Sequence, residues 1–185
     1  MGHWQEIYSI AESFIDLAGI PGDLVERCHK VRSHIFRWVG IPRGIGIEPT
    51  KTLAKLANHI AKTAERKPGS YPAHFAQVCN LAGLTDDERR RCWRPHRWTR
   101  FGGRRIAAQL IEAGVHTVQD LVQIDQATVR RRWSIVLDRT VRELQGVSCV
   151  DLDDGPTTKK EIAATRSFDH PMPIRLTPKD TIGSV

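Results

Sequence analysis

Gly44-Ile45-Gly46-Ile47-Glu48-Pro49-Thr50-Lys51-Thr52-Leu53-Ala54-Lys55-Leu56-Ala57-Asn58 joins a glycine-interleaved apolar run to a helical one, and this junction decides the first half of the fold. Small and apolar residues alternate over Ile41 to Ile47, which predicts a buried strand. Pro49-Thr50 then opens a helix in which Leu53, Leu56, Ala57, Ile60 and Ala61 recur at helical spacing, and Lys67-Pro68-Gly69-Ser70 ends it. Upstream, Trp4 to Leu17 reads as one or two short strands or a hairpin. Asp23 sits as N-cap of an amphipathic helix to Val39 that carries Leu24, Cys28, Val31, Ile35 and Trp38 and is closed by Gly40. Downstream, Phe75 to Leu81 returns as a short strand. The result is a β-α-β-α-β run and an α/β layer over residues 1–81.

After Leu84 the pattern becomes all-helical. Thr85-Asp86-Asp87-Glu88 is a capping box. Short helices are predicted over Arg104 to Ala113 and Val118 to Ile124, joined by Gly114-Val115-His116-Thr117, with a third from Ala127 to Gln145 before Gly146. The predicted organisation is an α/β part over 1–81 and a helical part over 82–149. A linker with one strand follows over 150–168, then a loose tail over 169–185.

The chain has 185 residues, of which 40% are hydrophobic and 26% charged, which excludes a wholly disordered chain, a collagen-like repeat and a membrane bundle. No apolar run approaches the roughly 20 residues that span a bilayer, and the N-terminus lacks a signal-peptide pattern, so a cytoplasmic protein is expected. Cys28, Cys79, Cys92 and Cys149 form no CxxC pair, against both a disulfide framework and a zinc site. A net charge of +7 and a pI near 9.6 point to a polyanionic partner, nucleic acid first.

Arg89, Arg90, Arg91, Arg94, Arg97, Arg100, Arg104 and Arg105 interleave with Trp93, Trp98 and Phe101. Such a segment neutralises phosphates while aromatics stack or pack; the alternative is a solvated helix face over core tryptophans. Gly102 and Gly103 before one helix, and Gly114 in the link to the next, give the layout of a helix-hairpin-helix. There, backbone amides near a helix N-terminus meet a DNA phosphate and Arg104 and Arg105 add charge. A generic helix pair with a glycine turn fits the same residues. Glu12 and Asp16, with Glu6, are candidate carboxylates for a metal. His29 and His34, with Cys28, lack zinc-finger spacing and read as surface or satisfied histidines. Gly44 to Ile47 is no dinucleotide fingerprint, and Pro49 to Thr52 is no P-loop.

Tyr8-Ser9-Ile10-Ala11-Glu12-Ser13-Phe14-Ile15-Asp16-Leu17 resembles the palm motif S-I-D-E-[SA]-F-[LI]-D of Y-family translesion DNA polymerases. Trp38 to Pro42, Gly44 to Ile47 and Pro49 to Asn58 resemble the next palm strand and helix. Val136 to Gly146, Lys160 to Ile162 and Arg166 to Phe168 are similar to the end of the thumb and the entry to the little finger. The likeness runs from about Ile7 to Phe168 and points to the bacterial UmuC branch, the catalytic subunit of DNA polymerase V. It implies a partial palm followed by a helical thumb with the helix-hairpin-helix at Phe101 to Val118, on the minor-groove side of the primer-template duplex. It also implies Mg²⁺ as cofactor, error-prone synthesis in the SOS DNA-repair response, and UmuD, RecA or the sliding clamp as partners.

Ala11 stands where the family has a metal-binding aspartate, and a methyl group cannot ligate Mg²⁺. Glu12 is the member of the metal set that this sequence keeps, an incomplete site. Lys51 and Lys55 match the palm-helix lysines of which at least one reaches the incoming triphosphate, with no pocket expected to face them. Phe101 replaces the first glycine of the hairpin's G-I-G, while Gly103 matches the second. Against the family pattern the chain begins after the first palm strand and the fingers, and stops where the little finger starts. The expected function is a DNA-binding, non-extending member of the family; the alternatives are a non-catalytic module that docks on polymerase partners, or a gene remnant.

Overall fold

The structure, a computed structural model, describes residues 4–9, 11–93 and 104–150. These residues belong to one unit, Met1–Asp154. The predicted strand at 159–168 and the tail lie outside the described residues, as do Gly102 and Gly103.

β1 (Gln5–Ile7) and β2 (Ser13–Ile15) pair antiparallel in the register Gln5↔Ile15, Glu6↔Phe14, Ile7↔Ser13. Side chains alternate across a strand, so Glu6 and Phe14 share the more buried face while Ile7 and Ile15 point outward. Helix α1 (Leu24–Val39) starts as its local chemistry dictates: Asp23 Oδ1 accepts from the amides of Val25 at 2.8 Å and Glu26 at 3.2 Å. It ends at Gly40, whose φ of 71° is the left-handed conformation that glycine adopts without cost and whose N–H donates to the Phe36 carbonyl at 2.8 Å.

β3 (Ile45–Ile47), α2 (Lys51–Arg66) and β4 (Val78–Asn80) make a βαβ unit whose strands pair parallel, Ile45↔Val78, Gly46↔Cys79 and Ile47↔Asn80. A turn of 3₁₀ helix at Ala73–Phe75 brings the chain back into β4. Gly46 lets β3 lie directly on α2: a Cβ there would come 2.9 Å from the Ala57 carbonyl carbon and closer still to Ala54 O and the Asn58 amide nitrogen. In α2, Leu53, Leu56, Ala57, Ile60, Ala61 and Ala64 are buried, a stripe at i, i+3, i+4, i+7, i+8 and i+11 that seats the helix on the core. Full burial of Leu56 and Ile60 stabilises by about 1.5–3 kcal/mol each.

The predicted β-α-β-α-β run forms over this half, with a two-stranded hairpin as its first member. Among the described residues the strands make two separate sheets, β1-β2 and β3-β4. The hairpin is tied to the βαβ unit by side chains instead of a backbone ladder: the Arg43 guanidinium donates to the Ala11 carbonyl at 3.1 Å. Leu17 packs with Leu24, Val25 and Ile45 around Cys28, Ile47 and Val78. Arg32 holds the other side, donating to the Arg43 carbonyl at 2.7 Å and pairing with Glu65 of α2 at 2.7 Å.

The second half is helical as predicted: α3 (Asp86–Trp93), α4 (Arg104–Glu112), α5 (Val118–Gln123), α6 (Gln126–Arg132) and α7 (Ile135–Leu144). The capping box at Thr85 forms, with Glu88 accepting from the Thr85 amide at 2.9 Å and hydroxyl at 2.7 Å. These bonds hold the Glu88 carboxyl below its usual range. The single helix expected over Ala127 to Gln145 is broken at Trp133–Ser134. Ser134 takes an extended backbone (φ −135°, ψ 158°) and accepts from the Leu137 amide, so it starts a new helix as an N-cap. One hydrophobic cluster runs through both halves, from Leu56, Ile60 and Cys79 to Leu110, Val118, Leu121, Val129, Val141 and Leu144. Burial within it pushes the Cys79 thiol far above its ordinary value, with Cys92 and Glu48 adding to the effect, as expected of a packing residue without thiolate reactivity.

Candidate functional site

The apolar stripe of α2 leaves Lys51, Lys55, Asn58 and Lys62 together on its opposite side. They line a groove of about 510 Å³ with Tyr8, Glu12, Phe14, Thr52, His59 and, from α7 and beyond, Val136, Thr140, Glu143 and Val150. Lys51 and Lys55 therefore do face a pocket, contrary to the expectation from sequence.

Each of these lysines is held by a carboxylate and an aromatic ring of the hairpin. Lys51 Nζ pairs with Glu6 Oε2 and lies 5.7 Å from the Phe14 ring centre. Lys55 Nζ is 3.4 Å from Glu12 Oε2 and 3.8 Å above the Tyr8 ring. Tyr8 and Phe14 meet edge to face at 5.6 Å, so the two clamps share one aromatic floor.

Ala11, at the exposed tip of the hairpin, offers a methyl group and a carbonyl already taken by Arg43. Glu12 is engaged by Lys55 and Glu6 by Lys51. Asp16 accepts from the Ala18 amide at 2.9 Å and is not among the groove's lining residues. Among the described residues no three His, Cys, Asp or Glu side chains gather as a metal site. His34 stacks on Trp38 at the surface, and Cys28 is buried with its thiol pushed up by burial.

Sequence inspection missed Glu143. It is 1% exposed, and its Oε2 accepts from the Thr52 amide at 2.9 Å and hydroxyl at 2.6 Å. Its Oε1 accepts from the amides of Cys149 and Val150 at 3.3 and 3.1 Å, and the Thr50 hydroxyl donates to its main-chain carbonyl at 2.9 Å. One carboxylate thus ties the N-terminus of the lysine-bearing helix to the end of α7.

In the helical half, Gly114 (φ 79°) lies in the link between α4 and α5. The Val115 amide donates to Leu110 O at 2.8 Å and the Gly114 amide to Ile111 O at 3.0 Å, a Schellman ending. The amides of His116 and Thr117 donate to Asp120 at 3.0 and 2.8 Å. All of the linking amides from Gly114 to Thr117 are therefore used internally. Arg105 is exposed on α4. The sequence reading placed a helix here and passed over its arginines: Arg130, Arg131, Arg132, Arg139 and Arg142 of α6 and α7 are all exposed while Asp138 and Glu143 are buried. No helix of the described residues is long and apolar enough to cross a membrane.

No family model matches the chain. Protein ImpB of Salmonella typhimurium is 35% identical over 184 residues, covering 96% of this chain and 40% of its own length. Protein UmuC of the same species (strain LT2 / SGSC1412 / ATCC 700720) is 36% identical over 165 residues, 88% of this chain and 37% of its own. Protein MucB of Escherichia coli is 36% identical over 169 residues, again 88% and 37%. The chain thus spans about two fifths of the length of the curated relatives it matches. Likeness at this level along almost the whole sequence, on top of the hairpin and βαβ unit that its palm-like motifs build, makes the chain a member of the UmuC-like Y-family of translesion DNA polymerases.

Proposed function

We propose that this chain is a DNA-binding member of the family that holds duplex or primer-template DNA without sequence preference and does not itself extend a primer. In this reading residues 1–81 are part of a palm and 82–149 a thumb, with the hairpin around Gly102, Gly103, Arg104, Arg105 and Gly114 meeting the phosphate backbone. The observation that carries it is the sorting of charge on α6 and α7: five arginines exposed and both acids buried. A surface of one sign neutralises phosphates and releases counterions whatever the base sequence. Because the amides of Gly114 to Thr117 are bonded internally, side chains carry the interaction on that side of the hairpin.

Loss of nucleotidyl transfer is supported by Ala11 and by the pairing of Glu6 and Glu12 with lysines. Two-metal phosphoryl transfer needs convergent carboxylates to hold both ions, and this hairpin does not supply them. Lys51 and Lys55 keep the position of triphosphate-binding lysines and become available to a polyphosphate only when their ion pairs open.

Fluorescence anisotropy of a labelled primer-template duplex, titrated at two salt concentrations, tests the reading. Arg130→Glu/Arg131→Glu/Arg132→Glu and Arg104→Glu/Arg105→Glu should each lower the salt slope by about 0.9 for every phosphate that the protein no longer neutralises. No salt-sensitive binding by wild type sinks the DNA reading, and unchanged binding by both variants sinks its placement on these arginines. Primer extension by the purified chain with Mg²⁺ or Mn²⁺ sinks the non-extending clause.

A second reading, docking on a partner such as UmuD, RecA or the sliding clamp, is favoured by the outward apolar face of the hairpin, where Ile7 is 83% exposed. Capture of one of these purified partners by wild type after nuclease treatment, abolished in Ile7→Ser/Ile15→Ser, separates the two readings.

A further inference from the structure

Trp38 belongs to the apolar spacing of α1, yet it is 79% exposed and turned away from the core. One face of its indole is covered by the His34 imidazole, at 5.7 Å between ring centres and 15° between planes. The stack spans one helical turn and covers one face of the indole, leaving the other face to solvent. Arg27, Lys30, His34 and Trp38 follow one another at i, i+3, i+7 and i+11 on this side of α1. All four are exposed; Lys30 pairs with Glu26 at 2.7 Å, the Arg27 guanidinium donates to the Pro21 carbonyl at 3.2 Å, and Arg37 stands exposed beside Trp38 in the last turn. Phe36 lies about 200° around the helix from Trp38 and is no part of this face.

We propose that this face of α1 is a binding site for single-stranded nucleic acid, with a base stacking on the open face of Trp38, Arg37 meeting a flanking phosphate and Arg27 one further along the strand. The charge identifies the occupant. A flat ring beside Arg37, with Arg27 about 16 Å further along the same helix face and with Lys30 and Glu26 neutralising one another, matches a stacked base and the phosphates of its strand in shape and sign. A duplex presents no free base face, so the site discriminates strand state, not sequence. His34 acts as a positioning residue: by stacking on the far face it reduces the rotamer freedom that the indole would lose on binding. This site lies on a different element from the arginines of α6 and α7, and neither needs the other.

The test uses the full chain and two fluorescein-labelled probes, a short oligo-dT and a blunt duplex. Trp38 and Arg37 are exposed, so substitutions there leave the core intact, and matching thermal melts verify this for each variant. Trp38→Ala should weaken oligo-dT binding about five- to hundredfold while leaving the duplex unaffected. Arg37→Glu should weaken it and flatten its salt dependence, and His34→Ala should give a smaller loss than Trp38→Ala. Wild type should show tryptophan quenching by oligo-dT that Trp38→Ala lacks. The α6 triple reversal should do the opposite, losing the duplex and keeping oligo-dT. Equal oligo-dT affinity in wild type and Trp38→Ala, or no oligo-dT binding by either, overturns the proposal. Loss of both probes in Trp38→Ala with an unchanged melt also overturns it, because the face would then not be selective for single strands.

Discussion

Replacing Glu143 by alanine removes one carboxylate from four hydrogen bonds at once. The Thr52 amide and hydroxyl lose Oε2, and the amides of Cys149 and Val150 lose Oε1. A hydrogen bond to a charged group contributes about 1.5–3 kcal/mol, but the bonds of one carboxylate do not add, and the partly exposed donors regain water. A loss of about 3 kcal/mol is expected for Glu143→Ala. Glu143→Gln keeps one oxygen for the Cys149 and Val150 amides and can donate its NH₂ to the Thr52 hydroxyl, so only the Thr52 amide is left without a partner. About 1 kcal/mol is expected there. At roughly 3 °C per kcal/mol for a chain of this size, the melting temperature falls by about 9 °C for alanine and about 3 °C for glutamine. Thermal melts followed by circular dichroism read the ranking, and amide exchange reads its place, with Thr52 losing protection before the centre of α2. An alanine variant within about 1 kcal/mol of wild type, or a glutamine variant as damaged as alanine, refutes the clasp.

Gly46→Ala pushes a methyl into the backbone of α2 and should cost about 3 kcal/mol or more, while Gly83→Ala, which meets nothing within 4 Å, should stay within about 0.5 kcal/mol; urea denaturation compares them. Burial pushes the Glu48 carboxyl above the usual range, against the opposing pull of the Leu81 amide and Arg89. Its contribution is therefore full below the unfolded value of about 4.3 and lost as pH rises through the folded value. Glu48→Gln, which keeps the acceptor for the Leu81 amide at 2.8 Å, should match wild type in acid and exceed it at neutral pH in paired melts. At Asp120 burial acts to raise the pKa but is outweighed by hydrogen bonds from Thr117 and His116, which hold it low. Its contribution is present above about 3.9 and lost as pH falls through the folded value, so Asp120→Ala should cost about 0.5–2 kcal/mol at neutral pH and progressively less in acid.

The legible parts of this protein are those whose cause lies within one helical turn. Asp23, Thr50 and Thr117 cap the helices that their positions announce, Gly40 and Gly114 end the ones before them, and the buried stripe of α2 follows its period. The same period places Lys51, Lys55 and Lys62 on one face, so half of the groove could be written down from spacing. The break at Trp133–Ser134 was open to the same reasoning, because a serine that can cap competes locally with the continuing helix. Trp38 was not, since its helical spacing suits a core residue while the packed structure leaves it exposed.

The sequence by itself determined the order of helices and strands, the family, and the loss of one carboxylate at Ala11, because capping, periodicity and side-chain chemistry act over a few residues. Tertiary structure alone decided that the hairpin's remaining acids close on the lysines of α2. It also decided that Glu143 reaches Thr52 across 91 residues and that the arginines of α6 and α7 face out while their acids turn in. Which charges meet depends on how separately stable elements pack around one core, and no local pattern carries that information.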